Sequence, residues 1–506
     1  MSVLDTGEGE IAQIWPSARF SKIRSHMEVH SQDQVPDEDR HGKSRDMFTL
    51  WFGGQIVFVT VLTGSACAAA GLDFWWIVLG IFLGVAIGTF LTAAHSAQGP
   101  ALGIPQMIQS RAQFGYFGSI VPLVMALFNF MGFLPLNPAV SAEYLKSMWG
   151  LNTVVGIIII AFLGLILAVF GYKWVHRGAK YASVLGLVVF LVFIGLLIFA
   201  HPHIPNLTHA TLHGRFEIGP FLTAVVICLT FAISYAPWAA DYSRYLPRNC
   251  SKAAVGWYSA FGLAIPLTGL FILGAYLEAV SNYSSNLATV MNSVTSRAGT
   301  AFTDVFDLVG IGILVLVTAM CAYSSAIILM GIVDSFKTGT QPSLKLDSAQ
   351  VSEGFKRRVM YTTALSIIGV GAAIAYSENL LGFYSTFLSI LVLLIIPWSA
   401  VNLADFYFLR HGHYDIRELF NPKGRYGLIN IGGLISYCVA LGIEFLFCNI
   451  SGVYESPVAR QLSGGDISWV PGVIIGAGLY LILNRHTRQR RSATILDPIA
   501  QPGPAT

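Results

Sequence analysis

Residues 51–64 read WFGGQIVFVTVLTG, and residues 231–238 read FAISYAPW. Each lies in a long apolar stretch and interrupts it with residues that weaken a helix, Gly53-Gly54 in the first and Pro237 in the second. In hydrocarbon every backbone N–H and C=O must be satisfied within the protein. A helix broken at mid-depth is therefore useful only beside a ligand, an ion or water. A matched pair of broken helices in two halves of one chain points to the binding site of a secondary transporter.

Working outward, twelve apolar stretches are long enough to cross a bilayer, which takes about 20 residues. They fall near 48–71, 75–95, 119–148, 152–171, 180–200, 219–240, 254–277, 304–332, 359–377, 380–404, 427–449 and 467–484. The quoted segments belong to the first and sixth. Spans 1–5 and 6–10 then read as two halves, and an odd number of spans per half inverts the second. Spans 11 and 12 are additions. The fold class expected is an all-α integral membrane protein with 12 transmembrane helices. Of the 30 Lys and Arg, all but Lys146, Arg215, Arg297 and Arg460 fall on the side that holds both termini. By the positive-inside rule that side is cytoplasmic, and a plasma-membrane location is expected.

Composition agrees. The chain is 54% apolar and 11% charged, with a mean hydropathy of +0.64. A soluble domain carries about 25% charge, so the 506 residues make one membrane domain rather than several soluble ones. The net charge of +3 follows the loop bias and excludes a nucleic-acid partner. The domain is expected over 46–485, between a disordered cytoplasmic tail at 1–45 and a cytoplasmic tail at 486–506. The first 45 residues are polar and lack a signal-peptide pattern.

Chemistry of the enzymatic kind finds little support. Among the 12 His, His201, His203, His209 and His213 gather in one loop and His95 sits at a span end. No metal-ligand motif is present, the six cysteines show no ligand spacing, and no cofactor is expected. Polar and aromatic residues inside spans say more. Span 1 carries Gln55, Phe58 and Thr60; span 3 carries Asn129, Phe133 and Asn137 at spacings of four, on one helical face. Span 6 offers Phe231, Ser234, Tyr235 and Trp238, and span 8 offers Thr318, Cys321 and Ser325. Rings supply stacking area and amides read an edge, which suits a flat, uncharged, hydrogen-bonding ligand. The competing reading is interhelical packing and polar glue. Glu143 and Glu444 lie deep in spans, where a carboxylate is costly and a proton relay is the default hypothesis.

Three separated motifs carry a family resemblance. GIPQMIQSRAQFGYFGS (103–119) matches a G-x7-R-x2-F-G-x2-G stretch through Arg111, Phe114, Gly115 and Gly118. AADYSRYLP (239–247) is similar to an A-D-Y/F-x2-Y/F signature, and ADFYFLRHGHYDIRELF (404–420) to an A-D-Y-x3-R-x2-Y segment. With Trp51, Gln55 and Gly64 in span 1, the chain from about 45 to 490 resembles the nucleobase:cation symporter-1 family, within it the purine-cytosine permeases. The resemblance implies a leucine-transporter-type five-plus-five inverted repeat and alternating access with Na⁺ or H⁺. It places the family's stacking Trp at Phe133 and the following Asn at Asn137. The span 6 aromatic falls at Ala232, beside Phe231. A cation site is implied at the backbone of Gly54 and Val57 with Thr318. The family's other span 8 hydroxyls fall near Leu316 and Val317, so proton coupling is expected.

The expected function is import of a purine or cytosine by symport, with Gln55, Phe58, Phe133, Asn137, Phe231, Ser234, Tyr235 and Trp238 at the substrate. A same-fold symporter of another heterocycle (allantoin, a hydantoin, a vitamin-like pyrimidine or pyridine) is the alternative. A non-transporting receptor or channel is the reading from another class. Its partners are the small-molecule substrate and the lipid bilayer.

Overall fold

The computed structural model describes residues 34–485 except 70, 72, 171, 200–215, 282–286 and 337–347. The four loop histidines and the C-terminal tail lie outside the described residues. The described chain is helical apart from loops and a short antiparallel hairpin, Asn449–Ile450 with Tyr454–Glu455. Fourteen helices carry the argument: α1 (Asp46–Gly54), α2 (Phe58–Ala68), α3 (Phe74–Ser96), α4 (Ile120–Trp149), α5 (Thr153–Phe170), α6 (Tyr172–Phe199), α7 (Ile218–Ile233), α8 (Ala239–Ser243), α9 (Lys252–Ser281), α10 (Thr300–Ser335), α11 (Ser348–Tyr376), α12 (Leu380–Ala404), α13 (Ile431–Glu444) and α14 (Trp469–Leu483).

Among the described residues six helical runs are long and apolar enough to cross a membrane, and α1 with α2 makes a seventh as one bent span. Shorter apolar helices lie at Thr153–Val169, Val184–Phe199, Ile431–Glu444 and Trp469–Leu483. Stretches expected as spans 9 and 10 form one helical run, Glu353–Leu409, with a 3-10 turn at Ser377–Asn379. Large apolar side chains such as Phe82, Phe90 and Phe162 stay exposed, as contact with lipid requires.

The helices gather in two compact units. Among the described residues, one holds 130–199 and 288–378, thus the last two-thirds of α4 with α5, α6, α10 and α11. The other holds the described residues of 34–129, 216–287 and 379–485.

Small residues set the packing of this second unit. Gly84 and Gly88 of α3 lie against the backbone of α7 at Val225 and Leu229. Gly64 of α2 faces the Phe271 carbonyl of α9, and Gly274 of α9 faces the Val61 carbonyl of α2. A β-carbon at any of these would overlap the neighbouring helix, so glycine here permits close approach. Two prolines, Pro135 and Pro138, sit inside α4 without ending it.

Residues 34–45, expected as part of a disordered tail, are ordered. They pair with the loops of the second unit: Val35 N–H donates to the Gly103 carbonyl (2.9 Å) and His41 N–H to the Tyr245 carbonyl (2.6 Å). Arg40 reaches the Pro100 carbonyl at 2.7 Å and the Val35 carbonyl at 3.1 Å. Its pKa is lowered by burial and by nearby Arg248, against the opposing pull of Asp37.

Candidate functional site

The first break falls where Gly53-Gly54 places it. Helices α1 and α2 meet at a bend of 66°. Between them Val57 is extended (φ −139°, ψ 152°), and Val57 N–H turns back to the Gln55 carbonyl at 2.9 Å. Thr60 Oγ1 donates to the same carbonyl at 2.8 Å, and Thr60 N–H to the Val57 carbonyl at 3.0 Å. Side chain and backbone thus replace part of the lost helical ladder. A β-carbon at Gly54 would meet nothing within 4 Å. That glycine weakens the helix and does not serve close packing.

The second interruption is milder than the sequence implies. Helix α7 runs to Ile233, unwinds through Ser234-Tyr235, passes a 3-10 turn at Ala236–Trp238 and resumes as α8. Within the quoted stretch 231–238, the irregularity lies at 234–238. Ile218–Ser243 still reads as one span without a bend above 40°. Pro237 sits in the first turn of the 3-10 segment, where its missing N–H is no loss.

Around these turns an aromatic group assembles within the second unit. Trp51 of α1 meets Tyr235 and Tyr242 edge-on, with ring centroids 5.7 and 5.6 Å apart. Tyr235 stacks on Trp238 at 5.7 Å and 24°, and Phe231 meets Tyr235 at 5.8 Å. Phe58 and Phe231 are fully buried, whereas Tyr235 and Trp238 are half-buried.

Asn129 completes the group. Its Nδ2 donates to the Ser234 carbonyl at 2.7 Å, a carbonyl that the unwinding of α7 released. Ser234 Oγ donates back to the Phe231 carbonyl at 2.6 Å. Among the described residues, Gln55 Oε1, Asn129 Oδ1 and Trp51 Nε1 are buried without a hydrogen-bond partner. Two acceptors and a donor left open among buried rings are what a polar, planar ligand would complete.

Other expected site residues belong to the first unit. Phe133 is half-buried on α4, and Asn137 Nδ2 donates to the Phe133 carbonyl at 3.0 Å. Thr318 of α10 packs on Gly164 and donates to the Leu314 carbonyl at 2.8 Å, which leaves its oxygen able to accept. It also lines a small cleft with Pro138, Ala161, Ser366 and Gly369.

Sequence reasoning missed what the three motifs build together. Gln106 N–H donates to Asp241 Oδ1 at 2.7 Å, tying the first motif to the second. Gln113 Nε2 donates to Asp405 Oδ2 at 2.7 Å, tying the first to the third. Asp405, fully buried, opens a π-helical turn and accepts from Arg410 Nε (3.0 Å), Tyr414 Oη (2.7 Å) and Tyr480 Oη (3.0 Å). Burial lowers the Arg410 pKa, but Asp405 outweighs that and holds it above its ordinary value. Desolvation, then the charge of Asp405, pushes Tyr414 up. Arg111 lies over the Tyr116 ring at 4.4 Å, its pKa lowered by burial.

His95, fully buried at the end of α3, extends the network. Its Nε2 meets Ser399 Oγ at 2.9 Å, its Nδ1 meets Gln106 Nε2 at 3.1 Å, and its ring stacks on Trp398 at 4.7 Å. An amide nitrogen can only donate, so Nδ1 accepts and Nε2 carries the proton.

Apolar spans, a helix broken at mid-span and a buried group of polar and aromatic side chains beside the break point to a membrane transporter. The chain belongs to the family of permeases for cytosine/purines, uracil, thiamine and allantoin, whose model matches residues 34–472. It is 33% identical over 469 residues to the "Putative purine-cytosine permease YxlA" of Bacillus subtilis (strain 168), covering 92% of this chain and 98% of that one. With the purine-cytosine permease fcyB of Emericella nidulans it shares 24% identity, covering 92% and 90%. Its fold is that of Mhp1, a nucleobase-cation-symport-1 family transporter. The inward-facing Mhp1 structure matches at a TM-score of 0.69 and 17% identity, covering 94% of this chain and 99% of that one. The family is one of permeases, not enzymes.

Proposed function

We propose that this chain imports a nucleobase, a purine or cytosine, by symport with a cation, and that the substrate is read at the α1–α2 break. The observation that carries this is that Gln55 Oε1, Asn129 Oδ1 and Trp51 Nε1 are buried and unpartnered among the described residues, where Trp51 meets Tyr235 and Asn129 holds the Ser234 carbonyl. A nucleobase edge alternates donors and acceptors, and its face stacks on rings. Relatives named as purine-cytosine permeases support the same substrate class.

A five-plus-five inverted repeat within twelve spans is part of the proposal. Expected spans 1, 2, 6, 7 and 10 fall in one unit, and spans 4, 5, 8 and 9 with about two-thirds of span 3 in the other. Members five apart in the chain thus keep company in three of the five pairs and in most of a fourth, as repeats would. Both termini are proposed to be cytoplasmic, in the plasma membrane, on the strength of the basic-loop bias.

For the coupling ion, H⁺ is favoured over Na⁺, because Leu316 and Val317 offer no side-chain oxygen where the resemblance expects hydroxyls; in the second unit the Gly54 and Val57 carbonyls are the proposed cation residues. The heterocycle reading stays open as the second candidate, because relatives include an allantoin permease (23% identical) and a vitamin B6 transporter (26% over 224 residues). Mhp1 itself has been seen with bromovinylhydantoin bound.

Uptake into proteoliposomes tests both points. The panel is radiolabelled cytosine, adenine, hypoxanthine, uracil and allantoin, with Na⁺ or choline outside and with or without a protonophore. Accumulation of cytosine or a purine that survives choline and is abolished by the protonophore is expected. Preference for allantoin would favour the second reading, and strict Na⁺ dependence would overturn the proton assignment.

A further inference from the structure

Glu444, the last residue of α13, plays no part in the site described above. It is fully buried, and neither carboxylate oxygen has a hydrogen-bond partner among the described residues. Space for the carboxyl is made by Gly472 in the first turn of α14: a β-carbon there would overlap Glu444 Oε1 and crowd Ile396 of α12. Such a cradle receives a carboxyl without solvating it.

Three electrostatic features bear on its charge. The C-terminal end of α13 carries partial negative charge, which disfavours an anion at its last residue. At the start of α14, Val470 N–H is given to the Ile467 carbonyl and Gly472 N–H to the Ser468 carbonyl, each at 3.1 Å, so neither donates to the carboxyl. Asp466, buried nearby, repels a second charge. Asp466 accepts from Asn449 N–H at 2.9 Å and Ser468 N–H at 2.8 Å, although burial still raises its pKa. The other titratable groups facing Glu444 are Tyr437, which donates to the Leu394 carbonyl at 3.1 Å, and Cys448. Helices α12 and α14 meet it with Ile396 and Gly472.

Of two neighbouring carboxyls, the one with backbone donors keeps the charge and the one without takes the proton. We propose that Glu444 is a proton-binding site, holding a proton in this conformation and releasing it when α13 and α14 shift enough to admit water. The proposal rests on the symport reading and names H⁺ as the ion that this carboxyl exchanges.

The test uses the full chain in proteoliposomes, wild type and Glu444→Gln. Infrared difference spectra between acidic and alkaline buffer should contain a carboxylic-acid C=O band that Glu444→Gln removes. In the same vesicles the variant should still exchange substrate across the membrane, while accumulation driven by a pH gradient collapses to equilibration. Glu444→Asp, which keeps a carboxyl, should retain a shifted band and part of the accumulation. An unchanged band in Glu444→Gln, or wild-type accumulation with the wild-type pH profile, overturns the proposal. If the wild type carries no compound of the panel, the symport reading fails, while the infrared comparison still decides whether Glu444 binds the proton. Should Glu444→Gln fail to fold, the Glu444→Asp spectrum decides: a band unmoved by that change overturns it.

Discussion

Asn129 stands at the point where packing and recognition separate, so its replacement is the most informative single change. In Asn129→Ala the Ser234 carbonyl loses its donor at 2.7 Å inside a fully buried site. An orphaned buried acceptor costs about 1–3 kcal/mol. If a bound base also donates to Asn129 Oδ1, that base loses a further hydrogen bond and a base without a donor there does not. An edge contact of about 1–3 kcal/mol corresponds to roughly 5- to 150-fold in affinity. Asn129→Asp separates the two effects, because it keeps an acceptor toward the ligand and removes the donor toward Ser234.

Two assays decide between the outcomes. Thermal unfolding in detergent should fall for both variants. Competition by the nucleobase panel against radiolabelled uptake should be reordered by Asn129→Ala and nearly preserved by Asn129→Asp. A wild-type ranking in Asn129→Ala, with stability alone reduced, would refute the assignment of Oδ1 to the substrate edge.

Three further outcomes are expected. Asp405→Ala leaves the Arg410 guanidinium without its carboxylate, and breaking a buried pair costs about 3–5 kcal/mol; folded yield on size-exclusion chromatography should collapse, and a wild-type elution profile would show that Gln113, Tyr414 and Tyr480 suffice. Gly64→Val drives a side chain into the Phe271 backbone of α9, an overpacking of about 1–3 kcal/mol or more, and should lower the melting temperature far more than Gly54→Ala, whose β-carbon meets open space; equal shifts would contradict the packing account. Tyr235→Ala should weaken uptake of every accepted base by about 2- to 13-fold, from a stacking contribution of about 0.5–1.5 kcal/mol; unchanged kinetics would leave this ring as helix packing.

Much of this was open to inspection in the sequence. Membrane class follows from span length and apolarity, because hydrocarbon tolerates only helices or closed barrels, and nothing tertiary is needed to see it. The α1–α2 break was legible too, since Gly-Gly weakens a helix locally. Span 6 was legible only in part: Pro237 marks the irregularity, but its effect is a 3-10 turn rather than a bend, because at that position the proline costs no hydrogen bond.

Side-chain partnership was settled by the tertiary structure alone. Asn129 and Asn137 are equivalent by spacing on one helix face, yet Asn129 bridges to the unwound Ser234 and Asn137 bonds within its own helix. The motifs at 103–119, 239–247 and 404–420 are far apart in the chain, and only folding brings Gln106 to Asp241 and Gln113 to Asp405. Glu143 and Glu444 likewise look alike as acidic residues in apolar spans. What distinguishes Glu444 is a glycine 28 residues later, on another helix, that leaves room for its carboxyl and nothing to solvate it. Local sequence sets where a helix can form or fail; which polar atoms find partners depends on neighbours that only the packed chain supplies.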